Sequence, residues 1–236
     1  MSPVKPRTAS HVDTDITTPR TLAERAYLSL RSDVICGKLA PGEKLRVEHL
    51  KDQYQVGAST LREALSLLVS DALVSAEGQR GFRVAPISLT DLEDVTNTRV
   101  MLETEALRQS IRRGDDDWEL ALTASYERLT STENTGPGAV PLEWELRNKK
   151  FHEALISAYD SPWTKYLLAI LYRHGERYRN INWRLTVAHV TDRNVHEEHE
   201  AIYLAAVNRQ EARAALALEA HVRITHDIVK RQAQKM

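Results

Sequence analysis

The 236-residue chain predicts a mainly α protein in two unequal parts: a small winged helix-turn-helix, then an all-helical bundle of about six helices. Three observations carry that reading. Glycine and proline are scarce, nine and eight in all, against many Ala, Leu, Glu and Arg, a composition that favours helix. Runs of β type occur in one place only, either side of the Gly-bounded turn in "ALVSAEGQRGFRVAP". From Leu89 to the end, apolar residues recur at helical spacing.

The N-terminal elements follow in order. The opening "MSPVKPRTASHVDTD" has no apolar core of a signal peptide and reads as a disordered polar arm over residues 1–20. The first periodic segment runs from Leu22 to Cys36, with Tyr27, Leu30, Val34 and Ile35 on one stripe. Gly37 stops it, and "LAPGEKL" supplies a turn on Pro41-Gly42. A short helix, Val47 to Tyr54, ends at "QVGAS". The next helix starts near Ser59, which can cap it. It buries Leu61, Ala64, Leu65, Leu68 and Ala72 and turns Ser59, Arg62, Glu63 and Ser66 outward. Two short strands, Leu73–Ala76 and Phe82–Val84, complete a wing, and Pro86 closes a domain over residues 21–87. Helix, short helix, turn, helix and hairpin is the order of a winged helix-turn-helix.

Residues 88–236 form the second domain. Helices are expected near 90–113, 115–131, 142–159, 162–180, 192–208 and 210–232, punctuated by Gly114, "TGPGAVP", Ser161-Pro162 and Asn208. Six helices in that length make a bundle with its own core.

Composition excludes several classes. No apolar run reaches membrane-spanning length. Cys36 is the single cysteine, so no intramolecular disulfide forms, in keeping with a cytoplasmic protein. Residues 1–87 hold 12 basic and 10 acidic side chains and residues 88–236 hold 20 and 23, a tilt that permits nucleic-acid binding in the first part without establishing it. The spacing in "HEEH" (196–199) is i,i+3, wrong for a zinc protease, which needs H-E-x-x-H. No G-x-S-x-G, P-loop or dinucleotide fingerprint occurs, so no enzyme is expected.

The string "GKLAPGEKL...LKDQYQVGASTLREALSLLVSDALV...GQRGFRV" closely resembles the winged-helix domain of GntR-family transcription regulators over about residues 22–86. The resemblance implies that Arg62 contacts DNA, that Ser59 and Thr60 lie near bases or phosphates, and that Gly81 carries the wing to the minor groove. Small polar residues and an arginine at the start of a groove-entering helix suit that task, because free amides and the helix dipole there also favour phosphate. Family members often have S-R-T-P where this chain has Gly57-Ala58-Ser59-Thr60, so an arginine that reads guanine is Ala58 here and the base code differs.

The second half resembles the FCD effector domain of the FadR-like branch of that family. The resemblance rests on "TRVMLETEALR", "NKKFHEALI", "EHEAIYLAAVNRQEARAA" and "HVRITHD", and six helices suggest the VanR-like subgroup. His152, His199 and His221 fall on inward faces of three different helices, which is how bundles build metal sites. His196 lies about 60° around its helix from His199 and reads as peripheral. The family's D-x-x-x-H and two later histidines map onto Asn148, His152, His199 and His221, with Asn148 in place of aspartate as a neutral, weaker ligand. These residues suit a divalent metal, zinc foremost, or else a hydrogen-bonded histidine cluster without metal.

Arg99 resembles the family arginine that holds an acidic effector; alternatively it forms an i,i+4 ion pair with Glu103 on a solvated face. Arg179 and Trp183, in an irregular stretch after the fourth bundle helix, line the pocket rim, or Trp183 simply packs. Trp144, Phe151, Tyr159, Trp163 and Tyr166 read as core or dimer-interface residues. The resemblance implies a homodimeric DNA-binding regulator, by default a repressor. It would bind a pseudo-palindromic double-stranded operator, with an affinity tuned by a small carboxylate or sugar-acid effector near the metal. Two alternatives are a metal-responsive regulator with no organic effector and a metal-dependent enzyme built on the bundle.

Overall fold

The computed structural model describes residues 19–78, 81–133, 141–186 and 193–233. Its first part contains α1 (Leu22–Ile35), β1 (Lys44–Leu45), α2 (Val47–Tyr54), α3 (Ala58–Ser70), β2 (Val74–Ala76) and β3 (Phe82–Val84). Thr21 caps α1 by accepting the Glu24 N–H at 3.0 Å. The stripe of Leu30 and Val34 packs on Leu61, Leu65 and Leu68 of α3, and Leu45, Leu73 and Val84 close the cluster from the sheet side.

Three details differ from the sequence reading. Helix α3 ends at Ser70, so Ala72, expected on its buried face, is exposed with φ +57° beyond the helix C-cap. The helix carrying Arg62 starts at Ala58 and its N-cap is Gly57, whose extended backbone makes no side-chain cap bond. Ser59 therefore sits in the first turn rather than capping it. The strand Lys44–Leu45 was not expected, since two residues carry no alternation. It exists because it pairs antiparallel with β3, Lys44 opposite Arg83 and Leu45 opposite Phe82, in a sheet of order β1-β3-β2. Gly78 (φ +58°) and Gly81 (φ +95°), between β2 and β3, take left-handed conformations that glycine adopts without steric cost.

The second part holds the six expected helices: α4 (Leu89–Arg113), α5 (Asp116–Glu133), α6 (Pro141–Leu155), α7 (Pro162–Thr186), α8 (Val195–Val207) and α9 (Glu211–Ala233). Their core is separate from the first and centres on Leu107, Leu122, Leu129, Phe151, Leu155, Ile202 and Leu218. Helix α6 ends four residues early, because bonds of turn type, Ser157 N–H to Ala154 C=O and Tyr159 N–H to Ile156 C=O, replace the helical ladder. Helix α7 continues beyond residue 180, so Arg179 and Trp183 lie on a helix and not in an irregular stretch. Among the described residues no helix is long and apolar enough to cross a membrane.

Helix α7 also grips the winged helix. Arg173 pairs with Asp71, the C-cap of α3, at 2.7 Å. His174 Nε2 lies 2.9 Å from the Asp71 carbonyl, and Arg177 donates to the Ala85 carbonyl. The Tyr178 hydroxyl donates to Asp91 at 2.6 Å and accepts the Ser88 N–H.

Candidate metal centre and nucleic-acid interface

At the winged-helix end, Ser59 and Arg62 are exposed at the start of α3 and Thr60 is half-buried. With a glycine cap, the first-turn N–H groups have no side-chain partner and are free to meet an anion. A cleft of about 510 Å³ opens beside Arg62, lined by Lys44, Arg46, His49 and Gly81 among others. Lys44 and Arg46 were missed in sequence, because their place opposite Arg62 depends on the β1–β3 pairing.

In the bundle, α6, α8 and α9 deliver His152, His199 and His221 to one point. All three are buried, and one ring nitrogen of each lies within 4.8 Å of the other two. Each histidine has a carboxylate against its Nδ1. His152 meets Glu103 at 2.5 Å, His199 meets Glu133 at 2.8 Å, and His221 meets Glu198 at 2.7 Å. An ionised carboxylate only accepts, so each Nδ1 must carry the proton and each Nε2 is left as a bare acceptor.

Two of those acceptors, His152 Nε2 and His199 Nε2, are buried without a hydrogen-bond partner, and so is Asn148 Oδ1. Asn148 lies one turn before His152, and its amide nitrogen donates to the Tyr172 hydroxyl at 2.8 Å, which leaves the oxygen unused. Unpaired buried acceptors each cost roughly 1–3 kcal/mol. The two imidazole nitrogens, on rings that converge with that of His221, fit a bound cation, and the Asn148 oxygen one turn from His152 is a further unused acceptor.

Burial favours the neutral form of His152 and His221. Burial pushes His152 down to about 4 and His221 well below its ordinary value, against the opposite pull of Glu103 and Glu198. Burial raises Glu103, but Arg99 and His152 outweigh it and hold this carboxyl far below the usual range. In the same way Arg193 and His221 hold Glu198 down to about 2 despite its burial.

Arg99 combines features of both sequence alternatives. It makes the i,i+4 pair with Glu103, at 2.7 Å, but the pair is buried and not on a solvated face. A nitrogen of its guanidinium lies 3.3 Å from His152 Nδ1. The guanidinium groups of Arg99 and Arg179 both lie over the Tyr172 ring, 5.1 and 5.2 Å from its centre, and Arg179 makes a two-bond pair with Glu145. The side chain of Trp183 lies outside the described residues. His196 stands beside the centre, its Nδ1 3.1 Å from the second oxygen of Glu133.

Glu133 and Glu198 were not singled out in sequence. Glu198 sits inside "HEEH", where it reads as a solvated acid, and Glu133 is 66 residues from His199, beyond any spacing rule.

A winged helix joined to an all-helical domain with its own buried polar centre is the architecture of a DNA-binding transcriptional regulator. Residues 22–84 match the bacterial regulatory proteins of the gntR family and residues 94–224 match the FCD domain. The chain belongs to the GntR family, in the group that carries an FCD domain. The uncharacterized HTH-type transcriptional regulator BphR of Paraburkholderia xenovorans LB400 is 46% identical over 215 residues, covering 89% of this chain and 86% of that one. The HTH-type transcriptional repressor GlaR of Escherichia coli K12 is 34% identical over 198 residues, 83% of this chain and 90% of its own. The structure of E. coli McbR/YncC shares the fold, with a TM-score of 0.68 at 19% identity over 90% of this chain and 99% of that one. The family and these relatives are regulators, and the chain is a regulator rather than an enzyme.

Proposed function

We propose that the chain is a repressor whose operator affinity is set by a small carboxylate or sugar acid, bound at a divalent metal in the FCD domain. The observation that carries this reading is the convergence of His152, His199 and His221, with His152 Nε2 and His199 Nε2 buried and unpartnered and a further unpartnered acceptor, Asn148 Oδ1, one turn from His152. Asn148, His152, His199 and His221 would hold the ion, zinc by its preference for imidazole. When bound it supplies a Lewis-acid attachment point for an effector carboxylate.

The chain's own residues do the rest. Three neutral imidazoles and an amide leave the ion's charge free to attract an anion, and Arg99 adds a cation beside His152. Trp183, on the same helix as Tyr172, is assigned to the rim of that pocket. At the other end Ser59, Thr60 and Arg62 enter the major groove, with Gly81 letting the wing approach the minor groove.

Helix α7 supports a route between the two ends. Tyr172 packs against Arg99, while the adjacent Arg173 and His174 hold the end of α3. An effector that binds one placement of α7 better than another shifts operator affinity by no more than that difference. GlaR is named a repressor, which supports repression here. We assign the domain division to residue 87 and the active form to a homodimer, whose two α3 helices would meet the half-sites of a pseudo-palindrome. Exposed Trp163, Tyr166 and Leu167 on α7 support a surface covered by a second copy.

Metal analysis and a thermal-shift screen of small carboxylates, with and without zinc, test the proposal. A metal content near one per chain, and an acid that raises the melting temperature only with zinc present, are expected. A metal content near zero after zinc-replete purification overturns it. A zinc effect on operator affinity that no acid alters identifies a metal-responsive regulator instead.

A further inference from the structure

We propose that Glu133 supplies the negative charge that Asn148, a neutral residue, does not bring to the histidine centre, and that it does so through His199. The inference rests on the metal reading above and concerns how this chain balances the charge.

Three carboxylates touch the three histidines, and they are not equivalent. Glu103 is shared with the guanidinium of Arg99 at 2.7 Å. Glu198 takes two bonds from Arg193, at 2.8 and 2.6 Å. In both, a cation already spends the carboxylate's charge. Glu133 has no arginine or lysine partner among the described residues. Its bonds run to His199 Nδ1 at 2.8 Å, His196 Nδ1 at 3.1 Å and the Trp144 indole N–H at 3.3 Å. Its side chain is 8% exposed and His199 is fully buried. A carboxylate with no arginine or lysine partner in such surroundings acts on the imidazole with little screening by water.

The chemistry follows from that asymmetry. A carboxylate on Nδ1–H raises the electron density at Nε2 and makes the imidazole a stronger donor to a cation. Glu103 and Glu198 hold ring orientation with little net charge. Glu133 holds orientation and leaves one net negative charge one imidazole away from the ion. That restores the balance an aspartate at position 148 would provide directly. Glu133 is a positioning residue in this scheme, since it acts through His199 and touches neither the ion nor an effector.

The test is a charge swap read by zinc affinity, using competition with a chromophoric chelator on the full chain. Glu133→Gln keeps the shape and an acceptor for His199 but removes the charge, and a 10- to 100-fold weaker zinc affinity is expected. Asn148→Asp alone should strengthen binding. Asn148→Asp combined with Glu133→Gln should return affinity to within a few-fold of the unmodified chain. Glu198→Gln, whose charge Arg193 already offsets, should cost less than Glu133→Gln. Unchanged far-ultraviolet circular dichroism and metal-free melting temperature exclude misfolding as the cause. Two results overturn the inference while leaving the metal reading intact: equal affinity in Glu133→Gln and the unmodified chain, or no rescue by Asn148→Asp. No zinc uptake by the unmodified chain overturns both.

Discussion

Arg173 on α7 places a guanidinium nitrogen 2.7 Å from a carboxylate oxygen of Asp71, the C-cap residue of α3. The same carboxylate accepts the Tyr27 hydroxyl at 2.5 Å, and the Asp71 carbonyl meets His174. One residue thus ties α1, α3 and α7 together. The two side chains are only 12% and 10% exposed, so this pair is not the weakly contributing kind found on open surfaces.

A double-mutant cycle of Asp71→Asn and Arg173→Ala, followed by denaturant unfolding, should return a coupling energy of about 0.5–3 kcal/mol. A value near zero would show that the contact carries nothing. If α7 transmits effector binding, Arg173→Ala should also leave zinc affinity unchanged while blunting any effect of zinc and acid on operator binding.

Arg62→Ala removes an exposed guanidinium at the start of α3 without disturbing Leu61, Leu65 or Leu68 beneath it. Operator selectivity, measured as the ratio of specific to non-specific affinity, should fall by about 1–3 kcal/mol, with the melting temperature unchanged. Undiminished selectivity would remove Arg62 from base readout.

His152→Ala should abolish the rise in melting temperature that zinc gives the unmodified chain, since a metal stabilises only by binding the folded state. His196→Ala, outside the three-histidine group, should retain most of that rise. Equal loss in both variants would mean that His196 belongs to the ligand set.

Acid should destabilise the metal-free protein in a defined window. In the unfolded chain His152 takes up a proton below about pH 6.5, whereas burial keeps the folded residue neutral down to about 4. Between those values the unfolded state binds more protons, so stability falls as pH falls. His221, also held low, adds in the same direction. Urea unfolding at several pH values should show the loss between about pH 6.5 and 4, and His152→Gln should flatten it.

Gly114 ends α4, and a Cβ there would lie 2.4 Å from the Trp118 ring and 2.8 Å from the Ser110 carbonyl. Its φ of −64° suits any residue, so the requirement is for space and not for backbone freedom. Gly114→Ala should cost about 1–3 kcal/mol by overpacking, read as a lower melting temperature. An unchanged melting temperature would mean that Trp118 can move aside freely.

The histidine centre was legible in part. The helical period puts His199 on the same face as Ile202 and Ala206, and His221 on that of Leu218, Ile224 and Ile228, so inward placement follows from spacing alone. Resemblance supplied Asn148 and His152. The partners of those histidines were not legible, because Glu133 and Glu198 belong to other helices, α5 and α8, than the histidines they meet, and acids on a helix usually face water. The burial of Arg99 was likewise undecided, since an i,i+4 pair has the same spacing on either face of a helix.

What the sequence determined by itself is local: the order of the helices, the wing, the two cores and the outward face of Arg62. Those features depend on residues within a few positions of each other, where period, turn chemistry and capping operate. The tertiary structure decided the rest. It joined β1 to the sheet, extended α7 across both domains, brought Asp71 to Arg173 across 102 positions and set Glu133 against His199. Such contacts depend on how helices pack and rotate about their axes, and no spacing along the chain records that rotation.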